Sequence, residues 1–354
     1  MKQRLLLAFF ALSLFITSCG SDNGLDGNWK KSSEYSGSGR GGAVSFTIGD
    51  EVYVGLGYSD GDYFSSFYKY STETGTWGKI TEQEKDEDDN NVEIGIFPGT
   101  QRREAVAFSV NGKGYIGCGV DEDNNRLSDF WEFDPNKPAE QRWTEVSNSF
   151  PGGARQGAVA FAFDTNGDGT NDVAYVGTGY GFLDGEDRSN LKDFYKFQNG
   201  TWSESLGYGG SKTTDATTFI IGTKAYLVSG TNNLDNVWEF ESTTETWTQK
   251  KDIDKDNSAE EVQRTSAISF VIDGKGYITT GISSNAREVW EYDPAKDDWV
   301  ERTSLENEVP SRISAIGFSI DNRGFMVSGL NGQNGLSDMW EFQPKVGEDD
   351  DDND

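Results

Sequence analysis

Histidine is missing from all 354 residues, proline is down to 7, and there are only two cysteines. Without histidine there is no Ser-His-Asp triad and no Cys-His dyad, and imidazole-bearing zinc and copper sites are excluded too. Two cysteines do not make a disulfide framework. Positive charge is also short: 31 Lys and Arg stand against 60 Asp and Glu, for a net charge of −29. The phosphate backbone of nucleic acid and an anionic bilayer surface are therefore repelled. The one long apolar run, LLLAFFALSLFI at residues 5–16, is too short to cross a bilayer as a helix. What the chain has instead is glycine, at 43, and aromatic residues, at 13%. That combination favours many short strands joined by turns.

The apolar run follows Lys2 and Arg4 and leads into Thr17-Ser18-Cys19-Gly20, which resembles a bacterial lipobox. Residues 1–18 are expected to be a lipoprotein signal peptide, Cys19 the lipidated residue, and residues 19–25 a tether. From Gly20 to Asp26 it reaches about 25 Å at full extension. At the other end GEDDDDND, residues 347–354, is a like-charge block expected to be disordered.

Between them one unit recurs six times. Aligned on Phe46, Phe108, Phe161, Phe219, Phe270 and Phe318, an arginine stands six residues earlier at 40, 102, 155, 264 and 312, with Thr213 in the fourth copy. Alanine stands three residues before each phenylalanine. An aromatic residue and a glycine follow at fixed offsets, the third copy carrying a seven-residue insertion before Tyr175. Short apolar runs such as AVAFSV and AISFVI read as buried strands, and Asn111-Gly112 and Asp273-Gly274 as hairpin turns. A third strand (FWEF, VWEF, MWEF) and a late tryptophan complete four strands per unit of roughly 50 residues. The sixth unit lacks its late tryptophan, and NWKK around Trp29 supplies it from the front of the chain. The expectation is an all-β, six-bladed propeller over residues 26–346, its ring closed by the N-terminal strand.

These features resemble the Kelch repeat family: the arginine before strand one, Tyr-x-x-x-Gly in strand two, Trp-Glu-Phe in strand three, and the late tryptophan. Kelch units usually end strand two in Gly-Gly. Here the first of the pair is Leu56, Cys118, Thr178, Ser229, Thr280 or Ser328. All ten tryptophans fall at repeat positions, so they read as packing between blades and not as sugar platforms. Cys118 reads as a small inert core residue.

Meander topology puts the loop between strands two and three at the same end as the link into the next blade. Arg40, Arg102, Arg155, Arg264 and Arg312 are thus expected to ring the axis at one face, with Tyr58, Tyr63, Phe64, Tyr180 and Phe182 and the long link 78–101 converging there. Such a ring would either receive a carboxylate ligand through paired N–H donors or serve the framework by pairing with acids and carbonyls of neighbouring blades. Thr213 interrupts it, with Asp215 nearby and Glu104 at the matching offset in blade two. On the opposite face the insertion DTNGDGTND resembles the start of a calcium loop, with Asp164, Asn166, Asp168, Thr170 and Asp172 as oxygen ligands. Tyr175 stands where the bidentate glutamate belongs.

The Kelch resemblance implies either a binding propeller or an enzyme such as galactose oxidase or the sialic acid epimerases. The copper oxidase is excluded by the missing histidine ligands. The expectation is a monomeric, non-enzymatic lipoprotein of a bacterial outer membrane, on its periplasmic or surface face, that binds a glycan or an envelope protein. It would carry a structural calcium and no copper, zinc or organic cofactor. The alternative is an epimerase or mutarotase acting on an acidic sugar such as sialic acid.

Overall fold

The computed structural model describes residues 26–86, 88–182, 188–232, 236–251 and 263–346; Cys19 and the acidic tail lie outside them. The described residues form six four-stranded antiparallel sheets, or blades. From the axis outward, blade I contains Val44–Ile48, Glu51–Gly55, Phe67–Ser71 and Thr76–Lys79. Blade II contains Val106–Val110, Lys113–Gly117, Phe130–Phe133 and Trp143–Glu145. Blade III runs Val159–Phe163, Val173–Gly177, Phe194–Gln198 and Thr201–Ser205, and blade IV Thr217–Ile221, Lys224–Val228, Val237–Glu241 and Thr246–Gln249. Blade V has Ile268–Ile272, Lys275–Thr279, Val289–Asp293 and Asp298–Arg302. Blade VI has Ile316–Ile320, Arg323–Val327 and Met339–Gln343, and its outermost strand is Asn28–Lys31. Innermost strands neighbour one another in sequence order, and blade VI returns to blade I. The Kelch-type propeller expected from the repeat is the fold observed.

Each blade packs on the next through the repeated aromatics. Phe46 stacks on Tyr53 of its own blade (5.1 Å, 7°) and meets Phe133 of blade II at 5.8 Å. The same pairing recurs as Phe108 with Phe197, Phe161 with Phe240, Phe219 with Tyr292, Phe270 with Phe342 and Phe318 with Tyr70. Stacked and edge-on rings of this kind add about 0.5–1.5 kcal/mol per pair beyond area burial. Trp29 pairs with Phe342 in register, is fully buried, and lies 5.1 Å from Phe342 and 6.0 Å from Phe270 of blade V. The closing strand thus fills the seam between the last two blades.

The residues that stand where Kelch units have the first glycine all take left-handed backbone. Leu56, Cys118, Thr178, Ser229, Thr280 and Ser328 all adopt φ between 57° and 63°. Left-handed backbone costs a non-glycine residue about 1–2 kcal/mol, most for a β-branched one. In return all six side chains are buried. Burial also pushes the Cys118 thiol up to about 12, so it is inert as expected. The glycine that follows each corner donates its N–H to the carbonyl of the next blade's arginine position. Gly57 bonds Arg102, Gly119 Arg155, Gly179 Thr213, Gly230 Arg264, Gly281 Arg312 and Gly329 Arg40, at 2.7–3.2 Å. Six identical bonds close a ring.

The link expected to open over the arginine face does not line the mouth. It forms a hairpin, Glu82–Lys85 with Asn91–Ile94, and Arg142 of blade II donates to the Ile80 carbonyl at 2.7 Å and to Glu82. Trp29→Ala is expected to lower stability by about 3–5 kcal/mol, measured by denaturant unfolding, because it opens the seam where the ring is welded. A loss below 1 kcal/mol would show that the first strand is an accessory.

Candidate functional site

The five arginines do not face a ligand. Arg40, Arg102, Arg155, Arg264 and Arg312 are at most 2% exposed. Each sends Nη1 to the carbonyl of its own blade's left-handed corner, at Leu56, Cys118, Thr178, Thr280 or Ser328. Three also hold the aspartate that opens strand three in a bidentate pair: Arg102 with Asp129 at 2.7 Å, Arg155 with Asp193 at 2.7–2.9 Å and Arg312 with Asp338 at 2.6 Å. In blade I the partner is Ser66. Burial alone would raise the Asp129 carboxyl, but the Arg102 hydrogen bonds and charge outweigh it and hold the group below its usual range. The ring of anion-receiving guanidinium groups is corrected to a set of internal staples, and they act within one blade instead of across two. Thr213 staples its blade differently, donating Oγ1 to the Thr231 carbonyl at 2.8 Å.

Two residues after each staple position the chain makes a second annulus. Glu104 N–H donates to Gly42 O, Gly157 to Glu104, Asp215 to Gly157, Ser266 to Asp215, Ser314 to Ser266 and Gly42 to Ser314, at 2.8–3.2 Å. All six residues are left-handed, with φ from 51° to 60°. Their side chains, and the alanine after each, line a cavity of about 170 Å³ at the axial mouth. Below it the first strands enclose a shaft of about 200 Å³.

Two carboxyl groups share this mouth. Arg103 Nη1 pairs with Glu104 Oε1, and Gln156 Nε2 donates to Glu104 Oε2 at 2.5 Å. Asp215 leans over Gly157, where an added Cβ would sit 2.5 Å from Asp215 Oδ1. Burial first, and then the negative charge of Glu104, raise the Asp215 carboxyl to about 7, against smaller opposing effects of the Thr214 hydrogen bond and Arg103. A carboxyl near neutrality beside an arginine-paired carboxylate is an acid and base couple.

None of the expected aromatics lines the mouth cavity itself, but Tyr58, Tyr63 and Tyr180 meet Arg103 and Gln156, the two partners of Glu104. Tyr58 and Tyr63 pack together at 5.8 Å. Arg103 lies over the Tyr58 ring at 5.0 Å and donates Nε to the Tyr63 hydroxyl at 3.0 Å. Tyr180 pairs in register with Gln156, and Arg126 lies over its ring at 5.3 Å. Arg126 Nη1 donates to the Asn124 carbonyl, while its Nε is buried with no partner. Phe182 lies under Arg188 at 5.1 Å, whereas Phe64 turns inward onto the buried Arg40. Arg103, Arg126 and Gln156 had no signal in the repeat. Each stands next to a residue that did, or in a variable loop.

Elsewhere, the Asp164–Asp172 loop is folded on hydrogen bonds from its own amides to its side chains. Asp164 accepts from the Gly167 and Gly169 amides, each at 2.7 Å, Asn166 from Asp168, Asp168 from Thr170, and Asp172 from Thr165. These bonds hold the Asp164 carboxyl below its usual range. Among the described residues no three acidic or cysteine side chains cluster as metal ligands. The side chains of the set read from the sequence lie along one turn and accept from its amides.

No protein-family model matches the chain. Over 120 residues, 32% of its length, it is 33% identical to N-acetylneuraminate epimerase of Pasteurella multocida (strain Pm70), and this stretch spans 26% of that protein. The solved structure of YjhT is similar in fold, with a TM-score of 0.63 at 16% identity over 87% of this chain and 96% of that one.

Two outcomes check this geometry. Arg102→Ala is expected to destabilise by about 3–5 kcal/mol in thermal or denaturant unfolding, since it leaves the buried Cys118 carbonyl without its donor and the half-buried Asp129 without its charge partner. Parent stability with lost ligand binding would restore a ligand role. For Asp215, the folded state binds a proton that the unfolded state has released, so its contribution is full below the unfolded value near 4 and is lost as pH rises through about 7. Asp215→Asn should therefore match the parent near pH 4 and melt higher than it at pH 8; equal melting at both pH values would refute the raised carboxyl.

Proposed function

We propose that the mouth of this propeller interconverts the anomers of an acidic sugar by general acid–base catalysis. The observation that carries the reading is the Glu104–Arg103 pair with Asp215 across Gly157. Anomeric exchange of a cyclic sugar needs one group to take the proton of the anomeric hydroxyl and another to protonate the ring oxygen as the ring C–O bond breaks. Rotation of the open-chain carbonyl and reclosure by the reverse transfers complete it. Asp215, protonated up to about pH 7, is the acid; Glu104, held by Arg103 and Gln156, is the base. Arg126, whose partly exposed guanidinium lies over Tyr180, supplies a positive charge for the substrate carboxylate. The partial likeness to an N-acetylneuraminate epimerase supports the substrate class. We further propose that Cys19 anchors the body by lipid to a bacterial outer membrane.

A second reading, a non-catalytic propeller that binds a glycan or an envelope protein, draws on apolar residues left exposed near the rim, Phe182 at 39% and Ile282 at 61%. Anomer exchange of N-acetylneuraminate, followed by NMR, separates the two. Acceleration should fall by about 10²–10⁴-fold in Asp215→Asn and in Glu104→Gln. It should also decline in the parent as pH rises past 7, and Arg126→Ala should raise KM by about 10–100-fold. Binding with no acceleration would favour the second reading, and full rate in Asp215→Asn would end the first.

A further inference from the structure

Two side chains of the mouth are left idle by the acid–base chemistry. Ser266 and Ser314 hold in blades V and VI the annulus position that Glu104 and Asp215 hold in II and IV, at φ 53° and 51°. Both line the mouth cavity. Neither hydroxyl has a hydrogen-bond partner among the described residues. The order around the ring is 42, 104, 157, 215, 266, 314, so Ser266 stands straight across the axis from Glu104, and Ser314 across from Gly157, over which Asp215 leans.

The backbone at this position asks for glycine, and blades I and III have it. At blade III glycine also makes room for the acid of the following blade, since a Cβ on Gly157 would strike Asp215, while one on Gly42 would crowd Arg103 Cβ at 3.1 Å. Annulus closure uses only the N–H and C=O, which any residue supplies. Serine at 266 and 314 therefore adds strain that the framework does not require. Unneeded strain of this kind marks a residue kept for its side chain.

We propose that Ser266 and Ser314 are positioning residues whose hydroxyls hold hydroxyl groups of the sugar while its anomeric centre lies against Glu104 and Asp215. The proposal rests on the acid–base reading above. A serine hydroxyl both donates and accepts, matching a sugar hydroxyl, and it stays neutral over the pH range in which the acids exchange protons. With anchors on one half of the annulus and the acid couple on the other, a single orientation of the ring is selected.

The test uses the full chain and N-acetylneuraminate as probe, with Ser266 and Ser314 changed singly and together to Ala and to Gly. Each lost hydroxyl is expected to lower kcat/KM for anomer exchange by about 3–10-fold, chiefly through KM. The glycine variants should melt no lower than the parent, because relief of the left-handed strain offsets the extra freedom of the unfolded chain. An active parent whose double variants keep its kcat/KM overturns the serine assignment alone. So do glycine variants that lose activity only by melting several degrees lower, since the serines would then be framework. A parent that neither binds nor accelerates the probe overturns the acid–base reading and this proposal with it.

Discussion

Everything in this molecule hangs on left-handed backbone at the same two places in every blade. At the first, the corner ending strand two, the following glycine offers its N–H to the next blade's carbonyl. At the second, two residues past the staple, the chain turns tightly enough to hydrogen-bond its counterparts on both sides. Together these make two closed rings of backbone bonds about the axis, each interface made once per blade and none left over. Aromatic packing holds the blades apart at a fixed spacing, but these bonds tie their inner ends together. Moving one corner would break the bond its glycine makes to the next blade, which is why leucine, cysteine, two threonines and two serines all accept an unfavourable φ there.

Buried guanidinium groups are the local complement to that strain. A corner carbonyl turned inward away from water needs a donor, and the arginine Nη1 is that donor in five blades. The aspartate at the start of strand three in blades II, III and VI then neutralises the charge. This accounts for so many arginines buried in a chain of net charge −29. They are among the least solvated groups in the protein, and available cationic edges must be sought elsewhere, as at Arg126.

Much of the fold was readable from the chain because a propeller repeats its instructions. Six phenylalanines at one offset, and a tryptophan missing at the back and present at the front, specify sheets and closure without any long-range information. The arginine positions were readable too, but not their task, since a ring of cations recurs whether it serves ligand or frame. The deciding signal was present and unread: Asp129, Asp193 and Asp338 stand just before strand three in the blades that have a full staple, and Ser66 stands in blade I. The mouth was half readable. Glu104 and Asp215 show as equivalent positions, but the raised Asp215 carboxyl depends on its burial and on the nearness of Glu104 over a glycine. No spacing in the sequence carries those quantities.

A sixfold frame also dictates where function can be written. Positions at which all six blades agree, such as the stacked phenylalanine, are consumed by packing, and changing one would damage an interface shared with its neighbours. The annulus position is different: its backbone is fixed by the ring, while its side chain borders the mouth cavity. There the six blades read Gly, Glu, Gly, Asp, Ser, Ser. The acids alternate with glycines, of which Gly157 clears the way for Asp215, and the blade that carries Asp215 is the one that gives up its arginine, at Thr213, so no guanidinium sits two residues away. The symmetry is broken only where the backbone has already been paid for, so an asymmetric acid and hydroxyl mouth can be set into a symmetric ring without disturbing the bonds that close it.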